Sequence, residues 1–250
     1  MSKISLIVPA HNEEKRIEDT IINFQKLLSE YKDYEIIFVC NNCTDSTIDL
    51  IKQHKEKNNK IKILEYSGIK GKGYAVVSGL KKADGDILGF LDADDAFEHK
   101  YIHKIISKFE NEHYDCVIAS KWKNQGFKDV NESFQRKLLA IGWNLLSKVL
   151  LDLNYTDTQA GAKFLRKKAF NKINKNFTCN GFDFDVELLF KLKQANQKIT
   201  EIFVPTKERR FSTFHYKYVP GMAWRIIKLF TKRINKLPYL TIKSRMSTSK

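Results

Sequence analysis

The sequence predicts an α/β fold with a mostly parallel sheet flanked by helices. Three observations carry that expectation. Short apolar runs of strand length recur along the first 120 residues, stretches of helical periodicity separate them, and polar or acidic clusters close several of the runs. Strands alternating with helices imply parallel pairing through right-handed crossovers. Ligands of such sheets bind beyond the carboxyl ends of the strands.

Residues 4–9 read as the first strand, ended by Pro9. Ile17, Ile21, Phe24, Leu27 and Leu28 repeat at helical spacing within 13–31. A second strand is expected over 35–40, a helix over 44–57 capped by Thr44 or Asp45, and a third strand over 61–66. The glycine loop 68–73 leads into a helix that runs to Lys82. Ile87-Leu88-Gly89-Phe90-Leu91 then reads as a buried strand that ends on Asp92, Asp94 and Asp95. A helix over 99–110 and a strand over 116–119 complete the regular part. The alternation then loosens: a long apolar helix with basic edges over 132–151, a short apolar stretch at 162–165, a helix over 183–194 and a strand over 199–204. This second part is expected to shape the other wall of a cleft. The chain thus divides into a body, 1–205, with halves 1–120 and 121–205, and a tail, 206–250.

A chain of 250 residues, 42% hydrophobic, is long enough for one cored unit. Its net charge of +15 implies an anionic partner. Residues 205–250 hold 12 Lys and Arg against one acid, Glu208, a net of +11. Within them a helix over 221–236 sets Met222, Trp224, Ile226, Ile227, Leu229, Phe230 and Ile234 among Arg225, Lys228, Lys232, Arg233 and Lys236. That composition describes a helix lying on an anionic membrane surface. A helix packed on the body with its lysines in water is the alternative. No secretory leader is evident and no apolar run has spanning length, so the protein is expected to lie on a membrane. Cys40, Cys43, Cys116 and Cys179 suit a reducing compartment; Cys40 and Cys43 have metal or redox spacing, but no second pair completes a zinc set. No nucleic-acid motif is present, so a basic tail alone would give unspecific, salt-sensitive binding to polyanions.

Asp92-Ala93-Asp94 sits where a ligand is expected. Carboxylate oxygens suit Mg²⁺ or Mn²⁺, which commonly bridge one or two carboxylates to phosphates. The alternative is an acidic turn after a strand, and the neighbouring stretches decide between them. Val8-Pro9-Ala10-His11-Asn12-Glu13-Glu14, Val39-Cys40-Asn41-Asn42-Cys43-Thr44-Asp45, Lys70-Gly71-Lys72-Gly73-Tyr74-Ala75 and Leu91-Asp92-Ala93-Asp94-Asp95 follow in this order. Together they resemble the nucleotide-binding half of family 2 glycosyltransferases of the GT-A fold, over about the first 120 residues. Asp157-Thr158-Gln159-Ala160-Gly161-Ala162-Lys163 and Phe184-Asp185-Val186-Glu187-Leu188-Leu189 resemble two blocks of the polyprenyl-phosphate glycosyltransferases, among them dolichyl-phosphate glucose and mannose synthases.

The resemblance implies inverting transfer of a hexose from a UDP- or GDP-sugar to a polyprenyl (dolichyl) phosphate, at the cytoplasmic face of a membrane. Residues 1–120 become the nucleotide-sugar half and 121–205 the acceptor half. Pro9, His11 and Glu13 line the base and ribose pocket, with Val39 and Asn41 behind them. Asp92 and Asp94, around Ala93, hold Mg²⁺ or Mn²⁺, and Lys72 touches the diphosphate or a carboxylate. Lys121, Arg136 and Arg209 take the acceptor phosphate, Gln159 contacts substrate, and Asp157 and Glu187 orient those cations or the sugar hydroxyls or brace the fold. Lys121 stands where arginine is usual and Asn41 where an aspartate is frequent. Ala96 replaces the glutamine of many mannose synthases, which is closer to the glucose synthases. A rival within the family, transfer to a glycan or protein hydroxyl, needs a general base, for which Asp185 or Glu187 is the candidate.

Overall fold

The computed structural model describes residues 2–130, 132–205 and 216–236. Its elements run β1 (Ile4–Ala10), α1 (Ile17–Leu28), β2 (Tyr34–Asn41), α2 (Thr47–Lys57), β3 (Ile61–Tyr66), α3 (Lys72–Lys82), β4 (Ile87–Leu91), α4 (His99–Asn111) and β5 (Cys116–Ser120). There follow α5 (Phe134–Leu151), β6 (Ala162–Arg166), α6 (Lys167–Ile173), α7 (Phe184–Gln194), β7 (Ile199–Phe203) and α8 (Val219–Lys236). The seven strands form one sheet in the order β3-β2-β1-β4-β6-β5-β7. All run parallel except β6, which opposes β4 and β5. The expected α/β class and mostly parallel sheet are what the chain adopts.

Strand alternation gives the sheet two apolar faces. Ile7, Ile37, Val39, Leu88 and Phe90 pack under α3 and α5–α8, while Leu6, Val8, Ile36, Phe38 and Leu91 pack under α1, α2 and α4. Both faces are covered, as a parallel sheet requires. Where β6 passes β4, Gly89 makes room: a Cβ there would collide with the ring of Phe164.

The helix expected from residue 13 starts at Ile17. Residues 13–16 form a turn in which Arg16 and Ile17 N–H both donate to the Glu13 carbonyl, at 3.0 and 2.9 Å. The helix expected from residue 44 begins at Thr47, and its N-cap position is Ser46, not Thr44 or Asp45, though Asp45 Oδ1 accepts the Thr47 N–H at 3.1 Å. The short helix α6 escapes the periodicity reading, being about two turns opened by two lysines. All four thiols are free.

The tail helix corrects its expectation in part. Met222, Ile226 and Leu229 do not face outward but are buried in the core beside Trp143 and Leu146 of α5. Arg225 fixes this docking with a bidentate pair to the buried Asp183, Nε–Oδ2 2.5 Å and Nη2–Oδ1 3.1 Å. Trp224 and Ile227 remain exposed. Arg209 and the segment beyond Lys236 lie outside the described residues. Among those described, no helix is long and apolar enough to cross a membrane.

Candidate active site

The carboxyl ends of β1, β2 and β4 open into a cleft of about 660 Å³ whose far wall is built by α5, α7 and α8. Pro9 and His11 enter it as β1 ends, and the His11 ring nitrogen Nδ1 lies 2.7 Å from the Asn41 carbonyl oxygen. Asn41 Oδ1 accepts the Lys70 N–H at 3.0 Å, tying the strand end to the glycine loop. Val39 is different: its side chain is wholly buried against Gly79 of α3 and does not line the cleft. Glu13 is anchored through its N–H to Thr47 Oγ1 at 2.7 Å, and its carboxylate pairs with Arg16. Burial pushes the Glu13 carboxyl up against the pull of Arg16, and the charges of Asp94 and Asp92 push the same way.

Asp92, Ala93 and Asp94 follow β4 at the cleft rim. The Ala93 carbonyl accepts the Thr20 hydroxyl at 2.7 Å, which pins the turn to α1. Asp94 Oδ1 accepts the Ala96 N–H at 3.3 Å. Asp95 turns the other way, at φ +44°, to Asn23 Nδ2 at 2.9 Å. Lys72 Nζ lies 2.6 Å from Asp92 Oδ1. It is carried there by Gly71, whose φ of +91° and contact with the Asn180 carbonyl admit no side chain. Two adjacent hard-oxygen ligands fit a divalent cation completed by phosphate oxygens or water. Among the described residues, no group of three or more His, Cys, Asp and Glu could hold an ion alone.

Across the cleft, Lys121 Nζ and Arg136 Nη1 converge on the Glu132 carboxylate at 2.7 and 3.4 Å. Asp157 lies deep beside them, its Oδ2 accepting the Lys121 N–H at 3.3 Å. Burial raises its carboxyl, opposed by Lys121 and Lys163. Gln159 also lines the cleft and donates to the Phe182 carbonyl at 3.2 Å. Asp185 reaches the floor and accepts a bond of 2.5 Å from the fully buried Lys163, whose Nζ also donates to Ala160 O at 2.8 Å. Glu187 does not reach the cleft. Its carboxylate takes the N–H groups of Thr178 and Cys179, at 2.9 and 2.6 Å, and braces the loop before α7.

The structure therefore gathers Pro9, His11, Glu13, Asn41, Lys72, Asp92, Ala93, Asp94, Lys121, Arg136, Asp157 and Gln159 around one cavity. Reasoning from sequence missed Arg16, Glu132 and Lys163. Only Lys163 had a signal, its place in the Asp157–Lys163 block.

The family model "Glycosyl transferase family 2" matches residues 5–174. A dolichyl-phosphate beta-glucosyltransferase of Trichomonas vaginalis is 30% identical over 238 residues, 90% of this chain and 72% of the relative. One from Dictyostelium discoideum is 30% identical over 213 residues, 80% of this chain and 65% of the relative. Among solved structures, glucosyl-3-phosphoglycerate synthase of Mycobacterium tuberculosis, in complex with Mn²⁺, UDP-glucose and phosphoglyceric acid, superposes with a TM-score of 0.68 at 17% identity. That match covers 94% of this chain and 80% of the synthase. A mannosyltransferase of Pyrobaculum calidifontis, bound to GDP-mannose and Mn²⁺, gives 0.65 at 16% identity, covering 94% and 64% of the two chains. At those identities the likeness is one of fold.

Proposed function

Since the chain belongs to glycosyl transferase family 2, we propose that it moves a hexose, glucose or mannose, from a nucleoside diphosphate sugar to a polyprenyl (dolichyl) phosphate, with inversion. The observation that carries this reading is the pairing, across one cavity, of a carboxylate rim with two cations. The names of the Trichomonas and Dictyostelium relatives support the same acceptor and favour glucose.

His11, Glu13 and Asn41 hold the nucleoside. Asn41 Oδ1 is engaged by Lys70 N–H, which leaves the side-chain NH₂ to meet a base carbonyl. Uracil and guanine both offer one. Asp92 and Asp94 would hold Mg²⁺ or Mn²⁺, and such an ion would offset the charge that grows on the departing nucleoside diphosphate. Lys72 orients Asp92 and adds its own positive charge to that side.

Lys121 and Arg136 receive the acceptor phosphate, with Arg209 from the segment outside the described residues. A phosphate oxygen attacks the anomeric carbon, the bond to the diphosphate oxygen breaks, and the nucleoside diphosphate leaves with that electron pair. The nucleophile is already anionic, so positioning and charge neutralisation suffice and no strong base is needed. Transfer to a hydroxyl would need one. Glu187 is spent on two backbone N–H groups, and Asp185 is held by Lys163, so neither is placed for that role.

The acceptor side supports action at the cytoplasmic face of a membrane as a peripheral protein, and the free thiols suit that compartment. Phe134, Leu138, Ile141, Leu145 and Val149 form an exposed apolar stripe along α5, the helix that carries Arg136. Trp224 of α8 is 59% exposed, with Lys228 Nζ 5.6 Å from its ring centroid. Apolar residues next to cations suit an anionic lipid surface. Leu145→Glu together with Val149→Glu is expected to cut flotation with anionic vesicles at least about tenfold, each charge opposing insertion. Undiminished flotation would discard this surface.

The activity itself is tested by supplying UDP-glucose, UDP-galactose, GDP-mannose and GDP-glucose with a short polyprenyl phosphate or with free sugars as acceptor. Transfer to the phosphate is the expected result, and transfer to hydroxyls alone would overturn the reading. Arg136→Ala is expected to raise the acceptor KM about tenfold or more, one charge-assisted phosphate contact being lost. An unchanged KM would remove Arg136 from the acceptor site.

A further inference from the structure

We propose that Glu132 is a built-in stand-in for the acceptor phosphate. Its carboxylate holds Lys121 and Arg136 in the free protein, and the incoming phosphate must displace it, so Glu132 sets the affinity for the acceptor. The inference rests on the reading of those two cations as the phosphate site.

Three observations lead to it. One oxygen of Glu132 meets Lys121 Nζ at 2.7 Å and the other meets Arg136 Nη1 at 3.4 Å, so a single anion bridges both cations. The bridge lines the cleft opposite Asp92 and Asp94, and the Glu132 side chain is only 13% exposed, which limits screening by water. Glu132 precedes α5 by two residues, and α5 begins at Phe134. It therefore lies ahead of the helix, with its N–H on the Val130 carbonyl at 3.0 Å, and not in the helix that carries Arg136.

A phosphate and Glu132 cannot share these cations. Like charges brought together in a half-buried site repel, and one must leave or be neutralised. A phosphate monoester carries about −1.5 to −2 at neutral pH against −1 for the carboxylate. It therefore binds the same two cations more strongly and displaces the carboxylate. Release of the two cations requires the Glu132 carboxylate to turn away from both. In the free protein the carboxylate keeps two like charges from splaying apart, so the site is formed before the lipid arrives. The arrangement also discriminates: a neutral hydroxyl acceptor gains nothing by expelling Glu132, whereas a dianion does.

The test is Glu132→Gln, which keeps the shape and removes the charge. With a short polyprenyl phosphate at saturating donor, the acceptor KM is expected to fall about tenfold. Inhibition by orthophosphate, competitive with that acceptor, is expected to tighten by the same factor. The gain appears in KM and not in kcat. A Glu132 that merely braces the cleft predicts the reverse, a higher KM and weaker inhibition once the cations lose their partner, and that result overturns the proposal, as does no change. Should the Gln variant fail to fold, Glu132→Asp serves: its shorter carboxylate retreats from Lys121, and KM is expected to fall by a smaller factor. A rise or no change in that variant is equally fatal. Wild-type protein that uses no lipid phosphate overturns both this inference and the function it rests on. Turnover with equal KM in both forms overturns this inference alone.

Discussion

Asp94→Ala is expected to lower metal-dependent hexose transfer by about a thousandfold or more while the protein stays folded. The loss follows from where charge develops. As the bond to the anomeric carbon breaks, negative charge gathers on the diphosphate, and electrostatic groups that meet it only then contribute most to rate. If Asp92 and Asp94 hold the ion as proposed, removing Asp94 would leave Asp92, itself 2.6 Å from Lys72, as its one carboxylate. A thousandfold corresponds to about 4 kcal/mol of barrier. The fold should not suffer, because Asp94 is half-exposed at the rim and the turn around it is pinned by the Ala93 carbonyl and the Thr20 hydroxyl. Transfer rates across a Mn²⁺ titration, beside a melting curve, check both statements. Rates within a few-fold of wild type would remove Asp94 from the metal site.

Lys163→Met should do the opposite, harming stability more than any surface change. Lys163 is wholly buried, and its ammonium is matched to Asp185 and the Ala160 carbonyl. Removing it strands a buried carboxylate, a loss of about 3–5 kcal/mol. In a chain of this size that lowers Tm by about 10 °C. The pH dependence carries a sign. Burial already holds the Asp185 carboxyl above its ordinary value, with Lys163 pulling it down. Without Lys163 the folded-state value rises further. An acid whose folded pKa is raised favours the fold when protonated, below its unfolded pKa, and that advantage is lost as pH rises through the folded pKa. The deficit of the variant should therefore shrink as pH is lowered from 8 towards 5. A deficit flat across that range, or smaller than about 1 kcal/mol, would show that the pair contributes little.

The part of the cleft built by the first half of the chain was legible because its signals are local. An apolar run followed by polar residues marks a strand end, and in a parallel sheet the strand end is where ligands lie. Val39 shows the limit of that rule. It shares a sheet face with Asn41, being two residues away, but it lies further back along β2, where α3 covers the sheet. Asp185 and Glu187 fail for a helical reason: positions two apart on a helix point to different sides. One meets the cleft floor and the other the Thr178–Cys179 backbone. The reversed direction of β6 left no trace, since five apolar-rich residues look the same read either way. The inward turn of Met222, Ile226 and Leu229 was hidden too, because an amphipathic helix does not say whether its apolar side meets protein or lipid.

That single reversed strand has an architectural consequence. The cleft residues of the first half come after their strands, whereas Asp157 and Gln159 come before β6, because only its leading end reaches the cleft. Its trailing end, with the junction to α6, emerges at the opposite pole of the molecule. Lys167 N–H there bonds Asp86 O at 2.8 Å, just ahead of β4. Grafts or tethers placed at that pole would sit a full sheet-length from the cleft, so partner modules can be attached there without crowding it.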